Sequence, residues 1–191
     1  MARLRSLLTL DEGERFRLLG KLCAAAMADV MASIQPGQSE QQITAHLAEQ
    51  TELRGIHPVA IMVASDERIF SGHHPIPKDK QLERYGMVIL CRPKRGLVCS
   101  LTRCVHFGRP PEALRRKMEA VATIVTVFIS ITRPGKTLGS VFADAQVACA
   151  QAGFPDDWKT HHQAVSSGYE PREFVAVPDL AEDIVATRLL Q

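Results

Sequence analysis

Histidine and cysteine side chains can bind metal ions, transfer protons or act as nucleophiles, and eight of the twelve in this sequence occur in three clusters. The clusters are His73 and His74, then Cys91, Cys99, Cys104 and His106, and finally His161 and His162. No pair of cysteines has the CxxC spacing of zinc and redox motifs. Each cysteine therefore has a second interpretation, as a small buried apolar residue that packs well and does no chemistry.

A polar cluster follows the last histidine pair. Its members are Tyr169, Glu170, Arg172 and Glu173. Side chains of this kind can bind the end of a peptide by hydrogen bonds and ion pairs. They are equally compatible with a solvated loop, and the sequence leaves both interpretations open.

An internal repeat with an offset of 98 residues orders the rest of the chain. A Pro-Gly pair ends a predicted amphipathic helix in each half, because proline cannot continue the helical hydrogen-bond ladder. The pairs are Pro36-Gly37 and Pro134-Gly135, and the helices are residues 11–33 and 112–130. A second helix follows each pair, with Ser39 or Thr137 as its predicted N-cap and Gly55 or Gly153 as its C-cap glycine.

Apolar runs of strand length lie between these helices, at residues 59–63, 87–91 and 97–101. A turn at residues 93–96 separates the last two runs, so they predict a hairpin in which Cys91 and Cys99 are candidate cross-strand neighbours. Duplicated helix-helix-strand halves that share one sheet predict an α+β fold. A cleft between the halves would be the natural place for a ligand.

Composition argues against several classes of partner. The 191 residues carry 23 basic and 21 acidic side chains, and this net charge of +2 with scattered basic residues predicts no nucleic-acid partner. No apolar run approaches membrane-spanning length and the N-terminus does not have the pattern of a signal peptide, so we expect no membrane partner. Five cysteines without disulfide spacing predict a protein of the reducing cytoplasm.

Four short strings resemble, in order and spacing, those of metallopeptidase family M24, the pita-bread peptidases that include methionine aminopeptidase and creatinase. The strings, within residues 12–175, are IQPGQSEQQITAHL, GHHPIP, RGLVCSLTRCVHFG and HHQAVSSGYEPRE. The resemblance points to the Xaa-Pro aminopeptidase and dipeptidase branch, and only to its catalytic-domain part. It implies the pita-bread fold, with duplicated halves around a curved antiparallel sheet.

The family's activity needs two divalent ions, Mn, Co or Fe, held by carboxylates and one imidazole. The resemblance places the imidazole ligand on His162, but the two metal-binding aspartates fall on Ile89 and Ser100. It also implies that His74 is a cleft histidine that contacts substrate, and that Tyr169 replaces a second substrate-contacting histidine. The metal site is therefore degenerate.

One histidine cannot hold a dinuclear site, so we expect no cofactor unless the family activity is retained with Mn, Co or Fe. A rearranged mononuclear site made from His162 and a cysteine is the alternative. Two functions remain open. One is a peptidase with weak or no metal-dependent activity, and the other is a non-catalytic module that binds a peptide or protein in the central cleft.

We predict a single pita-bread-like domain over residues 1–191, with halves at about 10–107 and 108–175 and a tail at 176–191. The tail does not resemble the string that carries the family's first metal-binding glutamate, so the domain would be truncated at its C-terminus. Such a truncation would leave an open sheet edge, which invites pairing with another chain. A homodimer is therefore expected.

Overall fold

The structure is a computed structural model, and it describes residues 5, 7–57, 60–71, 74–94, 96–159, 165–178, 180–182 and 184. These residues form two compact units. The first unit contains Asp11–Arg109 with Gly168–Pro171, and the second contains Pro110–Ser167 with parts of both chain ends. The prediction that residues 1–191 form a single domain stays a prediction.

The first unit contains two helices followed by three strands. In chain order they are α1 (Leu10–Ser33), α2 (Glu40–Glu52), β1 (Ala60–Ser65), a short 3-10 helix (Asp66–Phe70), β2 (Tyr85–Lys94) and β3 (Leu97–His106). The predicted helix at 11–33 is confirmed to within one residue. The strands are longer than predicted. Pro93 and Lys94, which were predicted as part of the turn, belong to β2. The turn before β3 is therefore shorter than predicted, and Gly96 in it has φ 86°, which favours glycine. Val59, in the first predicted strand, lies outside the described residues.

The three strands form one antiparallel sheet in the order β1-β2-β3. The register places Ile89 of β2 between Met62 of β1 and Thr102 of β3. Cys91 is opposite Ser100 and not Cys99, so the idea that the two cysteines face each other is wrong. Because side chains alternate along a strand, Cys91 and Cys99 project from opposite faces of the sheet.

The inner face of the sheet packs on the two helices and forms the core of the first unit. Fully buried side chains come from α1, α2 and β2, namely Leu19, Cys23, Met27, Val30, Leu47, Val88 and Leu90. Their three-to-four spacing on α1 and their alternation on β2 are the patterns that predicted these elements.

A buried carboxylate joins α2 to the end of the sheet. Glu40, in the first turn of α2, has no exposed surface. Its Oε1 accepts hydrogen bonds from the N–H and the hydroxyl of Ser65, both at 2.8 Å, and from Nε of Arg68 at 3.0 Å, and its Oε2 accepts one from the Lys78 N–H at 2.9 Å. Every donor lies beyond α2 in sequence, so this one side chain fixes the loop that follows β1.

A second carboxylate fixes the far end of the same loop. Asp66, at φ 53°, accepts hydrogen bonds from the backbone N–H groups of Glu83, Arg84 and Tyr85, each at 2.9 Å. Burial opposes ionisation of Asp66, but these donors and the nearby Lys80 outweigh it, so the pKa of this carboxyl is lowered. The carboxylate thereby sets where β2 begins.

The second unit repeats the helical part of the first. It contains α3 (Glu112–Ile131), α4 (Leu138–Gln151), a 3-10 turn (Asp157–Lys159) and two short antiparallel strands, β4 (Val165–Ser166) and β5 (Phe174–Val175). Phe142 of α4 packs edge-on against Trp158, with ring centroids 5.6 Å apart. The predicted helix at 112–130 is confirmed and extends one residue further.

Cap hydrogen bonds confirm the duplication. Ser39 and Thr137 both cap a helix, accepting from the N–H groups of Gln42 and Ser140. Both second helices end with a pair of hydrogen bonds of Schellman type, Gly55 to Glu52 with Ile56 to Thr51, and Gly153 to Ala150 with Phe154 to Cys149. Gly55 and Gly153 have φ 63° and 87°, the left-handed region that a C-cap glycine adopts.

The repeat extends into the segment predicted as a tail. In the first unit Gly37 donates to Leu82, Leu82 donates to Gln38 and Glu40 donates to Lys80. In the second unit the equivalent residues do the same: Gly135 donates to Ile184, Ile184 to Lys136 and Leu138 to Glu182. Leu180, Glu182 and Ile184 are therefore the structural counterparts of Lys78, Lys80 and Leu82.

None of the helices in the described part of the chain combines the length and hydropathy that crossing a membrane requires.

The Glu40 network predicts a large difference between two glutamate substitutions. Glu40→Ala leaves the donors of Ser65, Arg68 and Lys78 without their acceptor and should lower the free energy of unfolding by about 3–5 kcal/mol. Glu67→Ala removes only an exposed ion pair with Lys80, of 3.3 Å, and should cost less than about 1 kcal/mol. Urea unfolding of both variants measures the difference, and equal losses would show that Glu40 does not anchor the loop.

Candidate functional site

The outer face of the sheet, opposite to the helices, carries the positions that the resemblance assigns to metal binding. We use the term outer face for one set of side chains: Ala60, Met62 and Ala64 of β1, Tyr85, Met87, Ile89 and Cys91 of β2, and Ser100, Thr102, Cys104 and His106 of β3. The set alternates with the buried Val88 and Leu90 of the inner face. The candidate site is thus a sheet face of apolar, hydroxyl and thiol groups, with the imidazole of His106 at one end.

The composition of this face does not fit a pair of divalent ions. Ile89 is flanked by Met62 and Thr102, and Ser100 by Cys91. No Asp or Glu occurs in any of the three strands. Two adjacent dications need several carboxylates to offset their charge, and neither an isoleucine nor a neutral hydroxyl supplies one.

The thiols of the outer face are too far apart to replace those carboxylates. The Sγ of Cys91 lies 3.3 Å from the Oγ of Ser100, whereas Cys104 is opposite Met87, two rows along the sheet. At the ~3.4 Å rise of a strand residue, the two thiols are roughly 13 Å apart. Among the described residues, no three His, Cys, Asp or Glu side chains are grouped so that they could hold a metal ion. The mononuclear alternative involves His162, which lies outside the described residues.

An aromatic group closes one end of the outer face. The ring of Tyr85 lies between those of Phe70 and His106, at centroid distances of 6.2 and 5.9 Å. Burial, and then a hydrogen bond to Cys104, raise the pKa of the Tyr85 hydroxyl, while burial raises the pKa of the Cys104 thiol. Neither the Tyr85 hydroxyl nor the Cys104 thiol therefore ionises readily.

A cysteine with a lowered pKa, Cys99, lies on the inner face. A hydrogen bond from Cys23 of α1 lowers the pKa of Cys99 to about 7, against the effect of burial. The sequence showed both cysteines but not this pairing, since they are far apart along the chain. Cys99 is half-buried and is a free cysteine.

Tyr169 lies against the tip of the β2–β3 hairpin. Its ring occupies the space beside Gly96, where an added Cβ would lie 2.8 Å from the ring. Its hydroxyl donates to Glu12 in the first turn of α1, and this bond raises the pKa of Tyr169. The neighbouring Gly168 accepts a hydrogen bond from the N–H of Val98 at 2.8 Å. Tyr169 is thus held by the first unit, and its role towards a substrate stays a prediction.

Of the other predicted site residues, His74 lies among the described residues. His74 is exposed in the loop between the 3-10 helix and β2, a loop that Glu40 and Asp66 anchor at the end of the hairpin opposite to Gly96. His74 and Tyr169 therefore belong to opposite ends of the hairpin. His162, the predicted metal ligand, lies outside the described residues, as do His73 and His161. Whether His74, His162 and Tyr169 act together stays a prediction.

The polar cluster near Tyr169 makes intramolecular contacts. Glu173 is buried and accepts hydrogen bonds from Arg5, at 2.9 Å from Nη2 and 3.3 Å from Nε. Both residues belong to the second unit. Glu170 and Arg172 are exposed. A role of Glu173 in binding a peptide terminus would require it to exchange Arg5 for the ligand.

Known proteins share both sequence patterns and the fold with this chain. The sequence matches the model of metallopeptidase family M24 over residues 14–186. An uncharacterized peptidase of Staphylococcus epidermidis is 26% identical over 163 residues, which cover 79% of this chain and 45% of that protein. The chain thus spans about half the length of the curated relatives it matches.

Solved structures show the same fold. The dipeptidase PepE from Mycobacterium ulcerans has a TM-score of 0.87 and 24% identity, covering 97% of this chain and 51% of that one. The X-Pro aminopeptidase from Thermotoga maritima has a TM-score of 0.86 and 18% identity, covering 97% and 54%. The prolidase from Pyrococcus furiosus has a TM-score of 0.81 and 21% identity, covering 96% and 55%. The prediction of an α+β pita-bread fold is confirmed.

The contact between Gly96 and Tyr169 predicts unequal effects of two alanine substitutions. Gly37→Ala meets no atom within 4 Å and should cost about 1–2 kcal/mol, for its positive φ alone. Gly96→Ala has a similar φ and must also displace the Tyr169 ring, so its cost should be larger. Urea unfolding of a double-mutant cycle tests this: the extra cost of Gly96→Ala should disappear when Tyr169→Ala has removed the ring. Additive losses would mean that the ring does not occupy this space in solution.

The lowered pKa of Cys99 predicts selective alkylation. Because thiolate is the reactive form, the rate of iodoacetamide modification at Cys99 should rise through pH 7 and should exceed that at Cys104, whose pKa is raised. Cys23→Ala removes the hydrogen bond and should slow the reaction of Cys99 at pH 7. Peptide mapping by mass spectrometry measures the rates, with Cys149→Ala as the control that leaves them unchanged. Unaltered reactivity in Cys23→Ala would rule out the pairing.

Proposed function

Since the chain belongs to metallopeptidase family M24, we propose that it uses the family's fold to bind a peptide or protein ligand, with weak or no metal-dependent peptidase activity. One observation carries the proposal: the three strands on which the resemblance places the bridging aspartates contain no carboxylate, and Ile89 and Ser100 occupy the two positions. The proposal concerns this chain, which spans about half of its relatives.

The physical reason is the cost of bringing two like charges together. A pair of divalent ions a few ångströms apart repel each other strongly, and only the negative charge of their ligands makes the arrangement stable. His162, if it lies where the resemblance places it, contributes a neutral donor. Without the aspartates, the first step of the family's reaction, which is activation of a metal-bound water, has no support.

The outer face can instead bind an uncharged stretch of peptide. Met62, Met87 and Ile89 form an apolar centre, and Ser100 and Thr102 border it with hydroxyl groups. Methionine side chains adapt to different ligand shapes, and the hydroxyls can pair with backbone amides of the ligand. Solved structures with this fold include a prolidase and an X-Pro aminopeptidase, so Pro-containing peptides are the first ligands to test. The free cysteines are compatible with the cytoplasmic location that we propose.

A retained peptidase activity is the second candidate. It is favoured by the family itself and by the similarity to the peptidase of Staphylococcus epidermidis. In that case Mn, Co or Fe would be the ion, His162 a ligand, and His74 and Tyr169 the residues that contact substrate.

Metal binding and peptide binding distinguish the two candidates. We expect the purified protein to bind manganese or cobalt only weakly in calorimetric titrations, to leave Xaa-Pro dipeptides uncleaved, and to bind a fluorescent Pro-containing peptide in polarisation assays. Stoichiometric tight binding of metal, with turnover that His162→Ala abolishes, would establish the peptidase instead.

The same peptide assay locates the binding surface. Ile89→Asp introduces a charge at the apolar centre and should weaken peptide binding at least about tenfold, by the desolvation cost of an unpaired carboxylate. Leu53→Asp makes the same kind of change at an exposed apolar residue of the first unit, beyond the C-terminal end of α2, and should leave binding unchanged. Equal effects of the two substitutions would show that the peptide does not bind on the outer face.

A further inference from the structure

Two thiols are in contact inside the first unit. Cys23 of α1 has no exposed surface, and Cys99 of β3 is half-buried. The two side chains are hydrogen-bonded to each other, so their sulfur atoms are neighbours although the residues are 76 positions apart in the sequence. Both cysteines are free. The proposed function makes no use of this pair.

The packing of α1 on the sheet brings the two thiols together. Cys23 lies on the buried stripe of α1, one turn from Leu19 and one turn from Met27, and all three side chains are buried. On β3, Cys99 shares the inner face with Leu97, which has no exposed surface. The contact between the thiols therefore belongs to the core of the first unit and not to a surface loop.

The other cysteines have different surroundings. Cys91 and Cys104 project from the outer face of the sheet, on the side opposite to Cys99, and are separated from each other along the strands. Cys149 belongs to the second unit. All five cysteines lie among the described residues, and within the first unit Cys23 and Cys99 are the two whose thiols are in contact.

We propose that Cys23 and Cys99 form an oxidation site, which reacts with a small hydroperoxide such as hydrogen peroxide and closes as an intramolecular disulfide. Cys99 is the partly exposed member of the pair, so the oxidant reaches its sulfur first. Cys23 is inaccessible from solvent and takes the second step. The proposal is independent of the proposed function, because it uses no side chain of the outer face, no metal and no peptide.

The reaction balances with the peroxide as the only oxidant. The thiolate of Cys99 attacks one oxygen of hydrogen peroxide, the O–O bond breaks, and the hydroxide that leaves takes up a proton to become water. The sulfur of Cys23 then attacks the sulfenic acid of Cys99, the S–O bond breaks, and the second hydroxide leaves as water with the proton of Cys23. Two thiols lose two hydrogen atoms in total, and one peroxide is reduced to two water molecules.

The surroundings of Cys99 favour the first step. Thiolate is the form that attacks a peroxide, and the hydrogen bond from Cys23 lowers the pKa of Cys99 to about 7, against the effect of burial. A cysteine that is oxidised reversibly combines a low pKa, access from solvent and a neighbouring thiol that resolves the sulfenic acid. Cys99 meets all three conditions within the folded unit.

Closing the disulfide requires only a small movement of the core. The S–S bond of about 2 Å is shorter than a hydrogen bond between two thiols, so its formation draws α1 slightly towards β3. A small thiol can reverse the reaction by exchange, because one sulfur of the bond stays partly exposed. In a reducing compartment, the location proposed above, disulfides of this transient kind are the ones expected.

Peptide mapping of the peroxide-treated protein tests the pair. The full chain is reduced, freed of reductant, treated with a few equivalents of hydrogen peroxide, alkylated and digested with trypsin without further reduction. We expect the intact mass to fall by two hydrogen atoms and the peptides 22–54 and 96–103, which contain Cys23 and Cys99, to be joined. In urea the same treatment should give a mixture of pairings, since the contact depends on the fold.

Three alanine substitutions separate the roles of the cysteines. Cys99→Ala should abolish the joined peptides. Cys23→Ala should abolish them too, but should leave a sulfenic acid on Cys99 that dimedone labels in peptide 96–103. Cys104→Ala changes a cysteine of the same strand on the outer face and should leave the disulfide unaltered. Circular dichroism confirms that each variant is folded before oxidation.

Three results would overturn the proposal. The first is a folded wild-type protein in which peroxide leaves Cys23 and Cys99 as thiols. The second is a disulfide that joins other cysteines, or that forms in the same mixture in buffer and in urea. The third is a Cys23→Ala variant whose Cys99 never binds dimedone. Since the mapping involves neither peptide binding nor metal, failure of the proposed function would leave these results unchanged.

Discussion

The first unit depends on one buried carboxylate. Glu40 binds the strand end at Ser65, the guanidinium of Arg68 and the backbone of Lys78, and so connects α2, β1 and the loop that leads to β2. A charge with no exposed surface is tolerated only because each of its oxygens has donors. The position of β2, and with it the outer face, follows from this network and from the similar one at Asp66.

The outer face shows the opposite distribution of charge. The strands that Glu40 and Asp66 position carry no carboxylate, and their outer side chains are apolar, hydroxyl or thiol groups, apart from the imidazole of His106 at one end. The three strands of the first unit therefore have the fold of the family without the carboxylates that the resemblance places on them. A surface of this kind favours ligands by burial of apolar area and by neutral hydrogen bonds. The function of this chain has to be argued from the residues of the outer face, because one fold can support several different functions.

Local sequence patterns predicted the helices well, whereas contacts between residues far apart in the chain could not be predicted from the sequence. The caps at Ser39 and Gly153 are set by residues within a few positions, so their sequence patterns sufficed. The role of Glu40 depends on donors 25 to 38 residues away, and Tyr169 contacts a residue 157 positions away. No periodicity reveals such pairs. The repeat of Lys78, Lys80 and Leu82 by Leu180, Glu182 and Ile184 was missed for the same reason, since only their hydrogen bonds to the start of α4 and the turn before it show it.

The central claim is that this chain cannot hold two adjacent divalent ions. Electron paramagnetic resonance of the protein with added manganese tests it most directly, because two ions that share bridging ligands give an exchange-coupled spectrum unlike that of a single ion. We predict only the signal of the hydrated ion, unchanged by His162→Ala. An exchange-coupled spectrum at stoichiometric manganese, lost in that variant, would contradict the account.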